Sequence, residues 1–276
     1  MDGASEPRNG YWFSVVEVEV NSRCNRACSY CPVSVLPIPD VPRYMSDEVF
    51  ERIVSELERQ DYSGKFSFHF YNEPLIRKDL ERLVEKVARR LPRAYRLLYT
   101  NGDLLTDERH ASLLAAGLDH ILVTSHSGEL VKDREKQTVQ YPDDLVLTSR
   151  AGLVQVGLNR ELPMARPCWA PSDMLIVTVT GDVVLCCEDA TRAMKMGNVM
   201  EKSLAELWFS PDFVRLRTLL QQGKRGEAGR ACARCDNMEF HSPGENYQKV
   251  FSREQQQPAP ARRLTEEKES VLTHDR

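Results

Sequence analysis

Short apolar segments alternate with amphipathic segments along the first 150 residues of the chain. Five segments have the apolar or alternating character of strands, namely residues 15–20, 66–71, 95–99, 121–124 and 145–149. Between them, apolar residues recur at helical spacing, as at Val49, Ile53 and Leu57, with Ser46 as a candidate N-cap. This alternation predicts an α/β protein in which helices lie outside a parallel sheet.

The pattern changes from about residue 165. Residues 174–180 and 183–186 predict a β-hairpin, and two helices follow, one carrying Leu204 and Leu207 and the next Phe213 and Leu216. We therefore divide the chain into four predicted parts: an irregular lead-in (1–12), a partial (βα) barrel (13–160), a small domain with a hairpin and helices (161–250) and a disordered tail (251–276).

Composition narrows the class of protein. The hydrophobic fraction of 41% and charged fraction of 28% are those of a soluble globular protein, and no apolar run reaches the length of a membrane span. The net charge of −4 argues against a nucleic-acid partner and is compatible with a cationic substrate. The start of the chain has no signal-peptide pattern and the cysteines are clustered, so we expect a reducing cytoplasm and no membrane partner.

Three cysteines with the spacing C-x₃-C-x₂-C follow the first predicted strand: Cys24, Cys28 and Cys31. Three thiolates can bind three irons of a [4Fe–4S] cluster and leave the fourth iron open for a reacting ligand. The alternatives are a zinc knuckle or three unrelated buried thiols. Zinc is less favoured because no histidine or further cysteine lies near enough in sequence to complete a structural site.

Four more cysteines surround the predicted hairpin and helices of the second half: Cys168, Cys186, Cys232 and Cys235. Four thiolates can fully ligate a second [4Fe–4S] cluster, and they can equally form a structural Cys₄ zinc site. Spacing alone leaves both possibilities open.

The first cysteine loop, with Tyr30 directly before its third cysteine, resembles that of the radical S-adenosylmethionine (radical SAM) enzymes. The later cysteines, with Met196-Gly197-Asn198 ahead of a helix, resemble the twitch domain, a short form of the SPASM domain that carries an auxiliary cluster. Over roughly residues 14–240 the chain resembles the radical SAM dehydrogenases of 2-deoxy-scyllo-inosamine and related aminoglycoside-pathway epimerases. The resemblance implies a partial barrel, two [4Fe–4S] clusters and S-adenosyl-L-methionine (SAM) as cofactors.

Several polar residues stand at the carboxyl ends of predicted strands, where parallel sheets place their active sites. The resemblance implies that Asn72-Glu73-Pro74 occupies the place of the family's Gly-Gly-Glu motif, which binds the SAM amino group. The residues expected to bind cofactor are Tyr30, Asn72, Glu73, Asn101, Ser125 and His126. The resemblance also implies that Arg150 reaches a substrate hydroxyl and that Glu188 is an acid near the substrate. From position alone, Arg150 could instead form a surface ion pair.

Cys187 is the cysteine that two clusters would leave over. Because successive strand residues point to opposite faces, Cys187 should point away from a cluster that Cys186 binds, toward the barrel mouth. We therefore predict a carbinol epimerase in which this thiol returns a hydrogen atom to an aminoglycoside or its precursor. Alternatively, Cys187 has no chemical role and is simply a small residue that packs in the interior.

Three other functions stay open at this point. The runner-up is a radical SAM dehydrogenase that oxidises a secondary alcohol of an amino sugar or aminocyclitol, and a peptide-modifying enzyme or a metal-binding scaffold is less favoured. Either sugar reaction requires an electron donor such as flavodoxin or ferredoxin.

Overall fold

The protein is described by a computed structural model that covers residues 12–156 and 161–241. The predicted disordered tail, and the predicted lead-in apart from Trp12, lie outside the described residues. So does the predicted domain boundary near residue 160.

One sheet of eight strands organises the fold, in the order β5-β4-β3-β2-β1-β6-β7-β8. The strands are β1 (Val15–Val18), β2 (Lys65–Ser67), β3 (Tyr95–Thr100), β4 (His120–Thr124), β5 (Gln137–Gln140), β6 (Met174–Val177), β7 (Asp182–Val184) and β8 (Lys195–Asn198). Strands β1 to β6 pair in parallel, whereas β6, β7 and β8 pair antiparallel. The predicted α/β class, partial barrel and hairpin are therefore confirmed.

Helices follow the first three strands of the parallel half and cover its outer face. The α-helices of the described residues are α1 (Asp47–Arg59), α2 (Leu80–Arg90), α3 (Asp107–Ala115), α4 (Ala170–Asp173), α5 (Leu204–Trp208), α6 (Pro211–Gln221), α7 (Arg225–Ala228) and α8 (Arg230–Arg234). Ser46 caps α1 as predicted, because its hydroxyl accepts a hydrogen bond from the Val49 N–H at 3.3 Å.

The central strands β1 and β6 are buried on both faces, so their side chains divide between two apolar clusters. Val16 and Val18 belong to the larger cluster, which packs the sheet against the helices. Val15 and Ile176 belong to a smaller cluster inside the barrel, against which Cys168, Cys186 and Cys187 pack. Each such buried aliphatic side chain stabilises the fold by about 1.5–3 kcal/mol. The packing of this inner cluster therefore helps to fix the positions of these three cysteines.

The predicted fifth strand, residues 145–149, is wrong. The fifth strand of the structure is Gln137–Gln140, and residues 145–149 follow a short 3₁₀ helix (Pro142–Asp144) without forming a strand. Arg150 and Ala151 have φ angles of 49° and 54°, which extended backbone does not adopt. The apolar residues Leu145, Val146 and Leu147 instead line a cleft. In addition, β1 and β2 are shorter than predicted.

Two further findings concern the chain as a whole. Within the described ranges, no helix has the length and apolar character needed to cross a membrane. All eight cysteines lie in these ranges, and none of them forms a disulfide.

Gly197 in β8 provides a test of the packing in the second half. It has a φ of 135°, and a Cβ atom there would lie 2.5 Å from Cδ2 of the buried Leu207. We expect Gly197→Ala to be less stable than the parent protein. Backbone strain should lower the free energy of unfolding by about 1 kcal/mol, and overpacking against Leu207 should lower it by a further ~1–3 kcal/mol. The free energy of unfolding in urea measures this loss.

Gly128→Ala is the matched control for this prediction. Gly128 has a φ of 76°, but no atom lies within 4 Å of the added Cβ, so only the backbone strain applies. Equal losses in the two variants would show that the contact with Leu207 has no energetic role.

Candidate active site

A cleft of about 390 Å³ opens at the carboxyl ends of the parallel strands. Its lining includes Cys24, Cys28 and Cys31 on one side and Arg150 and Cys187 on another. The structure therefore brings the first cysteine set and the predicted substrate residue together in one cavity, as expected for this edge of an α/β sheet.

The loop that carries the first three cysteines is held by polar contacts to the segment after β3. Arg26 Nε and Asn25 Nδ2 each donate to an Asp103 carboxylate oxygen at 2.7 Å, and Asn101 Nδ2 donates to Asn25 Oδ1 at 2.9 Å. The Arg26 guanidinium holds the pKa of Asp103 below its ordinary value, so this ion pair persists at neutral pH. These contacts fix the direction in which the thiols enter the cleft.

The three thiols suit a cationic group. Burial raises the pKa of Cys24 and Cys31, because a thiolate without a positive partner is poorly solvated there. Within the described residues, no three His, Cys, Asp or Glu side chains are close enough together to hold a single metal ion. A [4Fe–4S] cluster makes a different demand, since each thiolate binds its own iron.

Asn72 and Glu73 form a polar corner of the same cleft. Asn72 Oδ1 accepts from the Phe70 N–H at 2.7 Å, but the buried Asn72 Nδ2 has no hydrogen-bond partner among the described residues. The Glu73 carboxylate accepts from Thr100 Oγ1 at 2.8 Å, Asn101 N at 2.8 Å and Leu75 N at 3.0 Å. A carboxylate can accept about four hydrogen bonds. An unused donor and an unused acceptor thus lie side by side, which fits the carboxylate and ammonium groups of SAM.

The other predicted cofactor residues separate into two groups. Tyr30 and His126 line the cleft, and the Tyr30 hydroxyl is hydrogen-bonded to His126 Nδ1. Burial raises the pKa of Tyr30 to about 12 and lowers that of His126, so both are neutral at pH 7. Ser125 lies behind the cleft, where its hydroxyl donates to the Glu129 carbonyl at 2.7 Å.

The second cysteine set lines a small cavity of about 20 Å³. Burial raises the pKa of Cys232 and Cys235 to about 12, although the Arg225 cation opposes the shift. Arg225 is almost fully buried and places Nη1 3.8 Å from Cys235 Sγ. Four thiols, two of them buried and two partly exposed, lie beside a buried cation and form a donor set suited to a cluster of net negative charge.

An ion pair lies at the boundary between the cleft and this second cavity. Arg150 lines the cleft, Glu188 lines the cavity, and Arg150 Nη1 lies 3.1 Å from Glu188 Oε1. Glu188 also accepts from Asn237 Nδ2 at 2.7 Å, and Asp236 accepts from the Ser149 N–H at 2.9 Å. The residues that follow Cys235 therefore hold both Arg150 and the backbone before it. Glu188 lies on the far side of Arg150 from the cleft.

Sequence reasoning missed a group of polar residues in the barrel interior: Glu17, Lys65, His69 and Tyr99, which line the cleft. Burial raises the pKa of Glu17 to about 7, although Lys65 and Arg150 oppose the shift. Burial, together with Lys65, lowers the pKa of His69 to about 3, so this ring is neutral. The available signal was a charged residue at an inward-facing position of a buried parallel strand, where apolar residues are the rule.

Cys186 and Cys187 follow β7 and are not strand residues, so the predicted hairpin strand 183–186 is too long and strand alternation does not explain the position of Cys187. Cys187 lines the cleft, whereas Cys186 lines the second cavity. The Tyr71 hydroxyl donates to the Cys187 carbonyl at 2.7 Å, and burial raises the pKa of the Cys187 thiol well above its ordinary value.

Comparison with known proteins defines the class. Residues 18–140 match the model of the radical SAM superfamily, and residues 168–236 match SPASM, an iron–sulfur cluster-binding domain. The chain belongs to the radical SAM family, and the predicted cofactors, SAM and two [4Fe–4S] clusters, are confirmed. That the cysteines of the cleft bind the first cluster and those of the second cavity bind the other remains a prediction.

The particular relative is an S-adenosyl-L-methionine-dependent 2-deoxy-scyllo-inosamine dehydrogenase from Niallia circulans. It is 37% identical over 237 residues, which are 82% of this chain and 94% of that protein. The structure of BtrN in complex with AdoMet and 2-DOIA has a TM-score of 0.76 at 36% identity, over 83% of this chain and 95% of that one. BtrN in an open conformation has a TM-score of 0.69 at 35% identity, over 85% and 97%.

The predicted epimerase is wrong, because the relative that spans nearly this whole chain is a dehydrogenase. The hydrogen-donor role of Cys187 is withdrawn with it. A thiol in the cleft is compatible with either reaction, so its position alone could not decide between inversion and oxidation.

The assignment of cysteines to clusters predicts the iron content of variants. We expect the double variant Cys232→Ala/Cys235→Ala to fall from about eight to about four irons per chain, because the second cluster loses half of its ligands. The measurement is iron and sulfide analysis after anaerobic reconstitution.

Cys187→Ala is the matched control, since Cys187 belongs to neither set, and it should retain the full iron content. Zinc in place of the second group of irons would contradict the assignment.

Proposed function

We propose that this protein oxidises a secondary alcohol of an aminocyclitol or amino sugar to a ketone. The observation that carries the proposal is the 37% identity to a 2-deoxy-scyllo-inosamine dehydrogenase over 94% of its length. The geometry supports it, because the cleft adjoins the cavity of the second cysteine set: Phe240 lines both, and the Arg150–Glu188 ion pair joins a residue of one to a residue of the other.

When bound, SAM and the two clusters supply the radical that removes a hydrogen atom and the site that accepts the remaining electron. The chain supplies the ligands, the binding groups and the exclusion of water. Arg150 is the group we assign to the substrate hydroxyl, since its guanidinium faces the cleft while Glu188 holds it from behind.

Arg150 stays protonated, and so positively charged, in this position. Burial lowers the pKa of the guanidinium, but the acidic groups of Tyr71 and Glu188 outweigh this effect, so the net shift is upward. A permanent cation next to the hydroxyl oxygen stabilises the negative charge that develops there as the proton leaves. Such preorganised groups commonly contribute about 10²–10³ in rate.

Glu17 is the group we assign to the substrate ammonium. It is buried and lines the cleft, where the Lys65 and Arg150 cations act on its carboxyl and the carboxyl in turn acts on the Cys187 thiol. His69 Nε2 lies 3.9 Å from Glu17 Oε1 but is neutral. An incoming ammonium would therefore meet a carboxylate whose charge depends on pH near neutrality.

The partners follow from the reaction. A one-electron donor such as flavodoxin or ferredoxin is required to start SAM cleavage, and seven thiolate ligands require a reducing compartment such as the cytoplasm. Neither a nucleic acid nor a membrane has a role in this scheme.

A labelled substrate distinguishes oxidation from inversion. With a panel of aminocyclitols and aminoglycosides that includes 2-deoxy-scyllo-inosamine, each deuterated at its carbinol carbons, we expect a ketone and deuterium in 5′-deoxyadenosine. In D₂O with unlabelled substrate, no solvent deuterium should enter the carbon skeleton before exchange of the ketone. Mass spectrometry of anaerobic reactions measures both the ketone and the location of the deuterium.

Cys187→Ala should still form the ketone in this assay, because oxidation needs no hydrogen donor. An inverted alcohol that carries solvent deuterium, and disappears in this variant, would refute the dehydrogenase.

The pH dependence of the reaction tests the role of Glu17. Because its pKa is raised to about 7 in the folded protein, the carboxyl is neutral below that pH and ionised above it. The value of kcat/KM should fall as pH drops through about 7, since the ammonium then loses its partner. Glu17→Gln should lower kcat/KM above pH 7 and abolish this dependence.

Glu19→Gln is the control for this pH profile. Glu19 lies on the same side of the same chain segment and burial raises its pKa to about 7 as well, but its carboxylate accepts from Arg192 and from the Val179 N–H. It does not line the cleft. A pH profile that survives in Glu17→Gln, or disappears in Glu19→Gln, would assign the titration to another group.

A further inference from the structure

The second cluster cavity has a restricted contact with the surface. Apart from its cysteines, nearly all the described side chains that line the cavity are buried, including Leu185, Leu220 and Arg225. The two lining residues besides the cysteines that are partly exposed are Met194 and Ala231. Besides the partly exposed Cys168 and Cys186, these two positions are therefore where the lining of the cavity reaches the surface.

Met194 also lines a surface groove on the opposite side. This groove has a volume of about 490 Å³ and lies between β8 and α6. We call it the basic groove, because Lys195, Lys202 and Arg215 line it against a single acid, Asp212. Its floor is apolar, with Met194, Met196 and Leu216. One side chain thus separates the second cluster cavity from a cationic, partly apolar surface.

The position of Met194 is built into the fold. The buried Asp189 carboxylate accepts from the Met194 N–H at 2.8 Å and from the Ala193 N–H at 3.0 Å. On the other side Gly229, with a φ of 134°, would place a Cβ 3.0 Å from Met194 Cε, so the methionine packs directly on the backbone before α8. The wall between cavity and groove is therefore thin and fixed.

The charge of the groove differs from that of the chain. The protein carries a net charge of −4, whereas the groove presents three basic side chains and one acidic side chain. Lys195 is paired with Asp182 at 2.6 Å, and Lys202 and Arg215 are exposed. Such a local field attracts an acidic protein partner and orients it.

We propose that the basic groove is the docking surface for an acidic flavodoxin that exchanges single electrons with the second cluster through Met194. The proposal rests on the proposed dehydrogenase function. Oxidation of the alcohol breaks a C–H bond, whose hydrogen atom goes to the SAM-derived radical, and releases the hydroxyl proton to solvent or a base. One electron then remains on the second cluster, and oxidised flavodoxin takes it up as its semiquinone, so the cluster is ready for the next turnover.

The test compares two charge-reversal variants of the iron-loaded protein. Lys202→Glu/Arg215→Glu alters the groove, and Lys78→Glu/Arg89→Glu makes the same change in net charge at exposed positions of and beside α2. Anaerobic calorimetry with an acidic flavodoxin should show Kd weakened by about tenfold or more in the groove variant. Its dependence on salt should also become weaker, while the control binds as the parent does.

Ketone formation driven by dithionite separates this proposal from the function on which it rests. Dithionite is a small chemical reductant that does not need the docking surface, so both variants should still form ketone with it. An unchanged Kd in the groove variant, or equal weakening in both variants, would overturn the docking surface. Loss of ketone formation from the parent protein with dithionite would instead overturn the dehydrogenase.

Discussion

The parallel pairing of β1 with β6 is the constraint on which the rest of the structure depends. In this pairing Val15 lies opposite Met174 and Val18 opposite Val177, so strands far apart in sequence become neighbours at the centre of the sheet. The first cysteine loop leaves the sheet after β1, Cys168 precedes β6, and Cys186 follows β7. Backbone hydrogen bonds therefore set the separation between the two cluster sites, and the cleft is the space that this separation leaves.

Much of the fold was predictable because its signals are local. The helix beginning after Ser46 has a cap, acidic residues in its first turn and an apolar stripe, and the structure has all three. The fifth strand was missed because Gln137–Gln140 is an edge strand with a weak apolar pattern, while the apolar residues at 145–147 line the cleft. Apolar residues can line a binding cavity as well as form a buried strand, and Leu145, Val146 and Leu147 do the former.

The chemistry of the site was predictable where residue type and spacing determine it. The C-x₃-C-x₂-C spacing of Cys24, Cys28 and Cys31 is of this kind, whereas spacing left the second set open between a cluster and zinc. Glu17, Lys65 and His69 are not of this kind, since a polar residue in or beside a strand usually indicates its solvent face, and only the fold shows that these side chains line the cleft. Glu188 was expected near the substrate, but the fold places it behind Arg150. The class of reaction is even harder to predict from local sequence patterns, which is why the predicted epimerase was wrong.

The contacts after Cys235 have a consequence for the order in which the enzyme is assembled. Asp236 and Asn237 directly follow Cys235, and they hold Ser149 and Glu188, the supports of Arg150. If Cys235 binds the second cluster, as we propose, a chain without that cluster would lack one bond that holds this segment, and only hydrogen bonds would then orient Arg150. Loading of the second cluster and the orientation of Arg150 would thus be coupled through two consecutive residues.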